Sequence, residues 1–228
     1  MKSKRVIYII CAAVFLALFF FYMHLVQTYD VQAIGPMGSE VGFATFNKSI
    51  ADACPPNEIM YEMTQLIGYL SIFICATFGV IGAKQLFTEK SLKKVDPDLI
   101  CLGILYILAI IAYVVFSKVV INYRPVLEDG VLESSFPSSH TVLGIVVFAS
   151  LLIEIGRKIK DPVKALIEKV ACLFMIALTV GGRFLSGWHW ATDITGGVIL
   201  SIALIFVFLS ILPEKIDKKI TNCTQTVL

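Results

Sequence analysis

Two histidines, two arginines and one aspartate have the residue types and spacing for a phosphoryl-transfer site. His189 and Asp193 are four residues apart, so on a helix their side chains would share one face. A carboxylate that accepts a hydrogen bond from one imidazole nitrogen leaves the other nitrogen free as a nucleophile. His140 could then protonate the departing oxygen. Arg124 and Arg183 provide guanidinium groups, whose paired donors match a phosphate.

The segment that leads into His140 could add backbone donors to the same anion. Pro137 suits the first turn of a helix. The amides of Ser138 and Ser139 would then lie at a helix N-terminus, which favours anions. The full set predicts a site that works without a metal or a cofactor, since histidine attacks, histidine protonates, and arginines with amides hold the phosphate.

The composition predicts an integral membrane protein that carries this site. Of 228 residues, 57% are hydrophobic and 16% are charged, whereas soluble domains contain about 45–50% apolar and about 25% charged residues. Six continuous apolar stretches are each long enough for a membrane-spanning helix, and continuous rather than alternating runs exclude a β-barrel. The stretches are Val6–Val26, Met63–Phe87, Leu99–Ile121, Pro137–Ile155, Val163–Gly182 and Ala191–Leu212. We therefore expect an all-α membrane protein with six transmembrane helices, and a single integral-membrane domain over residues 1–228.

Two of the six stretches have an alternative interpretation. Val6–Val26 follows a basic start and could be a cleaved signal peptide, but its long apolar run without a small-residue cleavage site favours an uncleaved span. Val163–Gly182 is the weakest span, because Lys164, Glu168 and Lys169 lie in its first two turns. Lysines at such a position can extend their ammonium groups to the interface.

The distribution of lysine and arginine predicts the orientation. With six spans, 15 of the 19 basic residues fall on one side, and only Lys48, Lys118, Arg124 and Arg183 fall on the other. The basic side should be cytoplasmic, which places both termini and the tail 213–228 inside. The candidate site then faces the extracytoplasmic side of the cell membrane. A net charge of +2 gives no indication of nucleic-acid binding.

As an ordered set, these residues resemble the type-2 phosphatidic acid phosphatase family, an integral-membrane branch of a superfamily that includes vanadium haloperoxidases. The family signature has three parts: a lysine ahead of Arg-Pro, then Pro-Ser-Gly-His, then Ser-Arg, five residues, His, three residues and Asp. Residues 118–193 contain counterparts of all three parts, including both gaps of the third. The resemblance implies that His189 is phosphorylated, His140 is the acid and Asp193 supports the nucleophile. It also implies a phosphate-binding role for Arg124, Arg183, and the backbone of Ser138 and Ser139.

Three positions depart from the family signature. Lys118 lies six residues before Arg124 instead of seven, so either the helix ends early near Asn122 or Lys118 does not bind phosphate. Ser139 replaces the signature glycine, and Gly182 replaces the serine before Arg183. A helical first turn tolerates serine, so the first replacement keeps the amide.

The resemblance and the membrane setting imply a lipid substrate. An isoprenyl diphosphate, phosphatidylglycerophosphate or phosphatidate would each fit, either in hydrolysis or in transfer of the phosphoryl group to another lipid. A lipid-binding protein without catalysis is a further alternative, against which the intact His140, His189 and Asp193 argue. The outer loop 27–62 could be a lid over the site or a passive connector. Trp188 and Trp190 fit an interfacial aromatic belt. The sequence of residues 121–126 is similar to that of a subgroup of the family from Gram-positive bacteria.

Overall fold

The computed structural model describes residues 2–214, which form seven α-helices and no β-strand within that range. Most of the predicted tail 213–228 lies outside the described residues. The helices are α1 (Lys2–Thr28), α2 (Ala44–Ala53), α3 (Glu58–Glu89), α4 (Pro97–Lys118), α5 (Ser139–Lys158), α6 (Pro162–Ser186) and α7 (Ala191–Ile211). Short 3-10 turns occur at Pro36–Gly38 and Leu92–Lys94.

Polar side chains set where several of these helices begin. The Asn57 side chain accepts a hydrogen bond from the Met60 amide at the start of α3. Asp96 does the same at α4, and Asp161 accepts from two amides at α6. In both of these helices proline occupies the first helical position, where it loses no intrahelical hydrogen bond.

Five of the long helices are apolar enough to cross a membrane by length and composition, namely α1, α3, α4, α5 and α7. The sixth predicted span coincides with α6, a continuous 25-residue helix. Lys164, Glu168 and Lys169 in its first turns leave α6 outside that group of five. The helix is present as expected, while its crossing of the membrane stays a prediction.

The two helices that bracket the candidate site lie at the centre of the bundle. In the apolar windows of α5 and α7, 50% of the residues are buried, compared with 11% in α1. α1 packs along α7, and α5 contacts α3, α4, α6 and α7. The core between them contains large side chains that are almost fully buried, among them Phe19, Phe136 and Phe208. The start of each central helix is therefore held firmly by packing.

The predicted outer loop 27–62 is largely structured. α1 continues to Thr28, α2 occupies ten residues of the segment, and α3 begins at Glu58. Gly42 lies so close to α1 that a Cβ there would collide with the Val26 carbonyl. The Asn47 side chain, 1% exposed, donates to the Thr192 hydroxyl at the start of α7 (2.9 Å). This part of the chain is thus bound to α1 and α7 by direct contacts.

Candidate active site

One cavity of about 940 Å³ is lined by faces of α3 and α4, by the loop that follows α4, by the start of α5 and by His189, which precedes α7. Arg124, His140 and His189 line it, although they are up to 65 positions apart in the sequence. Asp193 lies behind His189, and Arg183 contacts the cavity-lining residue Gln65. The structure therefore brings together all five side chains that the sequence singled out for phosphoryl transfer.

His189 lines the cavity, and the Asp193 carboxylate lies directly beside its imidazole. His189 Nδ1 lies 3.6 Å from Asp193 Oδ2, slightly beyond hydrogen-bond distance. Both imidazole nitrogens are buried without a hydrogen-bond partner. Burial, with the nearby positive charges of Arg183 and Arg124, holds the pKa of His189 well below its usual value. The ring is therefore neutral at physiological pH, as a nucleophile requires.

Asp193 is held in place from two sides. Its Oδ2 accepts a hydrogen bond from the Trp190 amide (3.0 Å), because Asp193 lies in the first turn of α7. Its Oδ1 accepts from Asn122 Nδ2 (3.2 Å). Asn122 is 2% exposed, and its carbonyl accepts from the Ser135 amide (2.9 Å). Asn122 thus fixes the carboxylate, a role that the sequence analysis missed and that only its position two residues before Arg124 could have indicated.

Arg183 is fully buried, with 0% exposure. Its Nη2 lies 3.5 Å from Gln65 Oε1, and its guanidinium carbon lies 5.1 Å from the centre of the Tyr61 ring. Among residues 2–214, neither Nε nor Nη1 has a hydrogen-bond partner. Unpaired buried donors are costly, so the fold keeps a positive group here whose donors remain available to an anion.

Trp190 is buried and is therefore not part of an interfacial belt, whereas Trp188 is partly exposed and its place in such a belt stays a prediction. Trp188 stacks on Tyr61 with ring centres 3.9 Å apart, which continues the Arg183–Tyr61 contact. Trp190 is 5% exposed, and its indole nitrogen donates to the Tyr123 carbonyl (2.7 Å). Both indoles therefore contact residues next to the site, Trp188 through Tyr61 and Trp190 through the Tyr123 carbonyl. The sequence alone does not reveal these contacts.

Arg124 follows the end of α4 and is paired with two carboxylates. Its Nη1 lies 2.7 Å from Glu128 Oε2, and its Nη2 lies 3.3 Å from Glu133 Oε2. Glu128 also accepts a hydrogen bond from the Tyr61 hydroxyl (2.7 Å). Neither glutamate was among the predicted site residues. The guanidinium thus reaches the cavity with both of its terminal nitrogens already in contact with acidic groups.

His140 occupies the second position of α5, against α3. A Cβ on Gly68 would lie 2.7 Å from His140 Cδ2, so a glycine is needed where α3 passes the imidazole. The Nδ1 atom of His140 is buried without a hydrogen-bond partner. The same close packing explains a departure from the family signature, because a Cβ on Gly182 would lie 2.7 Å from Thr64 Cγ2.

The structure revises the predicted role of Ser138. α5 begins at Ser139, with Ser138 as its N-cap and Pro137 outside the helix. The Ser138 amide donates to the Asp193 carbonyl (3.0 Å), and Ser138 is 0% exposed. That amide joins α5 to α7 and is unavailable to a ligand. The first amides within the helix, which start at Ser139, lack intrahelical acceptors.

Lys118 lies away from the cavity. α4 ends at Lys118 itself, and the next residue, Val119, is extended. The predicted span Leu99–Ile121 therefore extended three residues too far at its C-terminal end, and the earlier end of α4 does not bring the Lys118 side chain into the cavity lining. Lys118 is exposed and is absent from the cavity lining. Residues 2–214 provide no carboxylate that pairs with it, which agrees with an interfacial lysine.

The walls of the cavity below the charged groups are mostly apolar and aromatic. One wall is a face of α3 that includes Gly68, Ile72 and Cys75. The opposite wall is a face of α4 that includes Tyr106 and Tyr113. Within the described part of the chain, no group of three or more His, Cys, Asp or Glu side chains is arranged to hold a metal ion.

Comparison with known proteins agrees with this geometry. The model of the PAP2 superfamily matches residues 9–217. No curated protein sequence matches the chain. The fold is similar to the crystal structure of a transmembrane PAP2-type phosphatidylglycerolphosphate phosphatase from Bacillus subtilis, with a TM-score of 0.58. The match covers 87% of this chain and 94% of that chain at 19% sequence identity, which establishes likeness of fold alone. Because the family model covers nearly the whole sequence, the chain belongs to the PAP2 superfamily.

Proposed function

We propose that the protein is a membrane-embedded lipid phosphatase that works through a phosphohistidine. The observation that carries this proposal is that Arg124, His140 and His189 line one cavity, with the Asp193 carboxylate directly behind His189 and with buried Arg183 in contact with the lining residue Gln65. Membership of the PAP2 superfamily supports it independently of the geometry.

The first chemical step uses the neutral imidazole of His189. With Nδ1–H directed to Asp193, the Nε2 lone pair would attack the phosphorus of a bound ester, and the P–O bond to the lipid alcohol would break. Arg124 and Arg183 would hold the charge of the phosphoryl oxygens. His140 would give a proton to the departing oxygen. Water would then attack the phosphohistidine and release inorganic phosphate, which restores both histidines.

The shape of the cavity favours a lipid ester over a soluble one. Its charged groups lie at one end, while α3 and α4 provide apolar walls beyond them. An acyl or isoprenyl chain would bury its methylene groups there while the phosphate reached the arginines. Phosphatidylglycerophosphate, phosphatidate and isoprenyl diphosphate are the first substrates to test, and the fold neighbour is named for the first of these.

The orientation is part of the same proposal. Six crossing helices, with α6 as the sixth, would place both termini in the cytoplasm and the cavity mouth on the outer side. Cys54 lies between α2 and α3, near that mouth. An impermeant thiol reagent should label Cys54 on intact cells. Protection of Cys54, with labelling of Cys223 instead, would reverse the topology.

Release of inorganic phosphate by the purified protein is the direct test. A panel of lipid phosphates and diphosphates in mixed micelles should yield phosphate from at least one member, with inhibition by vanadate in the presence of a chelator. Loss of activity with the chelator alone would replace this mechanism with a metal-dependent one. Transfer of the phosphoryl group from the lipid phosphate to a second lipid, without release of inorganic phosphate, would identify a phosphotransferase.

A further inference from the structure

The loop between α4 and α5 directs two carboxylates at an arginine that should receive the substrate. This loop is folded back on itself by bridges between Tyr123 and Ser134 and between Glu128 and Val131. The Arg124 amide donates to the Glu133 carbonyl (3.0 Å), so the two residues face each other across the loop. The position of the glutamates is thus built into the backbone.

The two carboxylates contact the nitrogens that a phosphate would use. Glu128 lies 2.7 Å from Nη1 of Arg124 and Glu133 lies 3.3 Å from Nη2. A bidentate phosphate contact needs two such donors of one guanidinium. Arg124 is 12% exposed, while the exposed fractions of Glu128 and Glu133 are 30% and 45%. A ligand entering from the cavity must therefore compete with one or both carboxylates.

Other charged groups near the pair do not cancel this competition. Arg183 from α6 lies close enough to Glu128 to influence it, and Tyr61 from α3 donates to it. Burial raises the pKa of Glu128, but the Tyr61 hydrogen bond and the Arg124 charge outweigh this and leave the pKa below its usual value. Burial raises the pKa of Glu133 against the pull of Arg124, and the neighbouring Glu128 raises it further.

We propose that Glu128 and Glu133 form a charge filter that admits dianionic phosphate groups to Arg124 and excludes the monoanionic phosphodiesters of the surrounding bilayer. This inference rests on the proposed function, since it concerns the selectivity of the same site. The filter makes the two glutamates specificity-determining residues of the loop.

The physical basis is a comparison of charges. A phosphate monoester, or the terminal phosphate of a diphosphate, carries up to two charges on three acceptor oxygens, so it can replace two carboxylates at Arg124. A phosphodiester carries one charge and has only two free oxygens. It would gain less from Arg124 and would still face two carboxylates. Phosphodiesters are the bulk of a phospholipid bilayer. The difference in charge therefore keeps the surrounding lipids from occupying the site.

The test compares isosteric variants that remove the charge and keep the shape. Glu128→Gln, Glu133→Gln and the double variant would be purified beside Asp129→Asn. Asp129 is exposed in the same loop at a positive φ of 50°, a conformation that asparagine tolerates, and it does not pair with Arg124. Vanadate inhibition and inhibition by phosphatidylglycerol would be measured in micelles of an uncharged detergent, with melting temperatures to check folding.

The glutamine variants should bind vanadate more tightly, by about twofold to fivefold for Glu133→Gln, whose partly exposed charge is screened. They should also become sensitive to phosphatidylglycerol at concentrations that leave the wild type and Asp129→Asn unaffected. Weaker vanadate binding would show that the glutamates orient Arg124 for the substrate, and unchanged inhibition would show that they have no influence; either result overturns the filter.

A failure of the proposed function would look different. If the wild type released phosphate from no lipid, the phosphatase assignment would be wrong, but stabilisation of the purified protein by vanadate could still be measured by its melting temperature. A larger stabilisation in the glutamine variants than in Asp129→Asn would then support the filter by itself, and an equal or smaller one would reject it.

Discussion

Charged residues gather at both ends of α5, and the most buried arginine of each cluster, Arg157 at one end and Arg183 at the other, has different partners. At the C-terminal end, Arg157 Nη2 lies 2.9 Å from Asp98 Oδ1 and donates to the Pro213 carbonyl (2.9 Å). Its Nε lies 3.6 Å from Glu154. At the N-terminal end, Arg183 has neutral neighbours only within contact distance, and its Nε and Nη1 have no partner.

We infer from this difference that Arg157 stabilises the fold and that Arg183 serves the proposed function. The Arg157 cluster joins α4, α5 and the end of α7, because each of its cations reaches acceptors from another element. The Arg183 cluster leaves donors unsatisfied beside an open cavity. A fold maintains a fully buried arginine without a counter-ion at a cost in stability, and the proposed binding of a substrate phosphate by those donors would offset this cost. Four predictions test the contrast.

The largest expected effect is that of His189→Ala. Removal of the proposed nucleophile should lower phosphate release by about 10⁴-fold or more, because the remaining groups can hold the substrate but cannot form the phosphohistidine. Turnover of the best lipid substrate is the measurement, with circular dichroism to confirm the helical fold. His24→Ala is the matched control, since His24 is an exposed histidine of α1. Full activity of His189→Ala would reject the mechanism.

Arg183→Met should separate activity from stability. The variant should lose about 10²–10³-fold in kcat/KM, because it lacks one anion-stabilising group. Its free energy of unfolding should be unchanged or higher by about 1–3 kcal/mol, because an apolar side chain replaces a buried charge without a counter-ion. Assays and melting curves of the ligand-free protein measure both. A large loss of stability would place Arg183 with the structural arginines.

The dependence of kcat/KM on pH should show that the charge of Arg183 lowers the pKa of His189. In the wild type, burial and then the charges of Arg183 and Arg124 depress the pKa of His189, so protonation should reduce kcat/KM only well below the usual pKa of histidine. In Arg183→Met one positive neighbour is missing. The acid limb of its profile should therefore shift to higher pH. A shift to lower pH, or none, would show that Arg183 does not act on His189.

Arg157→Met should have the smallest effect on catalysis and a clear effect on stability. Loss of Arg157 leaves the carboxylate of Asp98, 11% exposed, with only the longer contact to Lys158. We expect about 2–3 kcal/mol of destabilisation, with turnover per folded molecule within about twofold of the wild type. Melting temperature and the concentration of active sites, titrated with vanadate, would be measured together. A selective loss of turnover would show that the two clusters are coupled through α5.

The placement of the five predicted side chains followed from simple rules of the sequence. The i, i+4 spacing predicted that Asp193 lies beside His189, and the two side chains lie 3.6 Å apart, although His189 precedes α7 and does not share a helix with Asp193. The apolar stretches of membrane-spanning length predicted that the segments around Arg124, His140 and Arg183 meet, and Arg124 and His140 line the same cavity. The residue at which each helix begins was harder to predict. The predicted helix began at Pro137, whereas α5 begins two residues later at Ser139, and the Ser138 amide donates to the Asp193 carbonyl instead of being available to a phosphate.

Other partners could not be predicted because their sequence separation is large and their residue types are common. Gln65 and Tyr61 contact Arg183 from more than 100 positions away. Asn122 reaches Asp193 across 71 positions, and Asn47 reaches Thr192 across 145. An asparagine or a glutamine fits many surface positions, so its type alone does not indicate a buried partner.

The sequence by itself determined that this is a membrane protein of helices and which residues are candidates for the site, since apolar runs of bilayer length and an ordered set of histidines, arginines and aspartate each have few physical interpretations. Only the tertiary structure decided which charges are satisfied. Pairing depends on distances of a few ångströms between separate helices and loops, which no local pattern encodes. The fold pairs Arg157 with carboxylates, gives Arg124 two acidic competitors and leaves Arg183 without a counter-ion in contact.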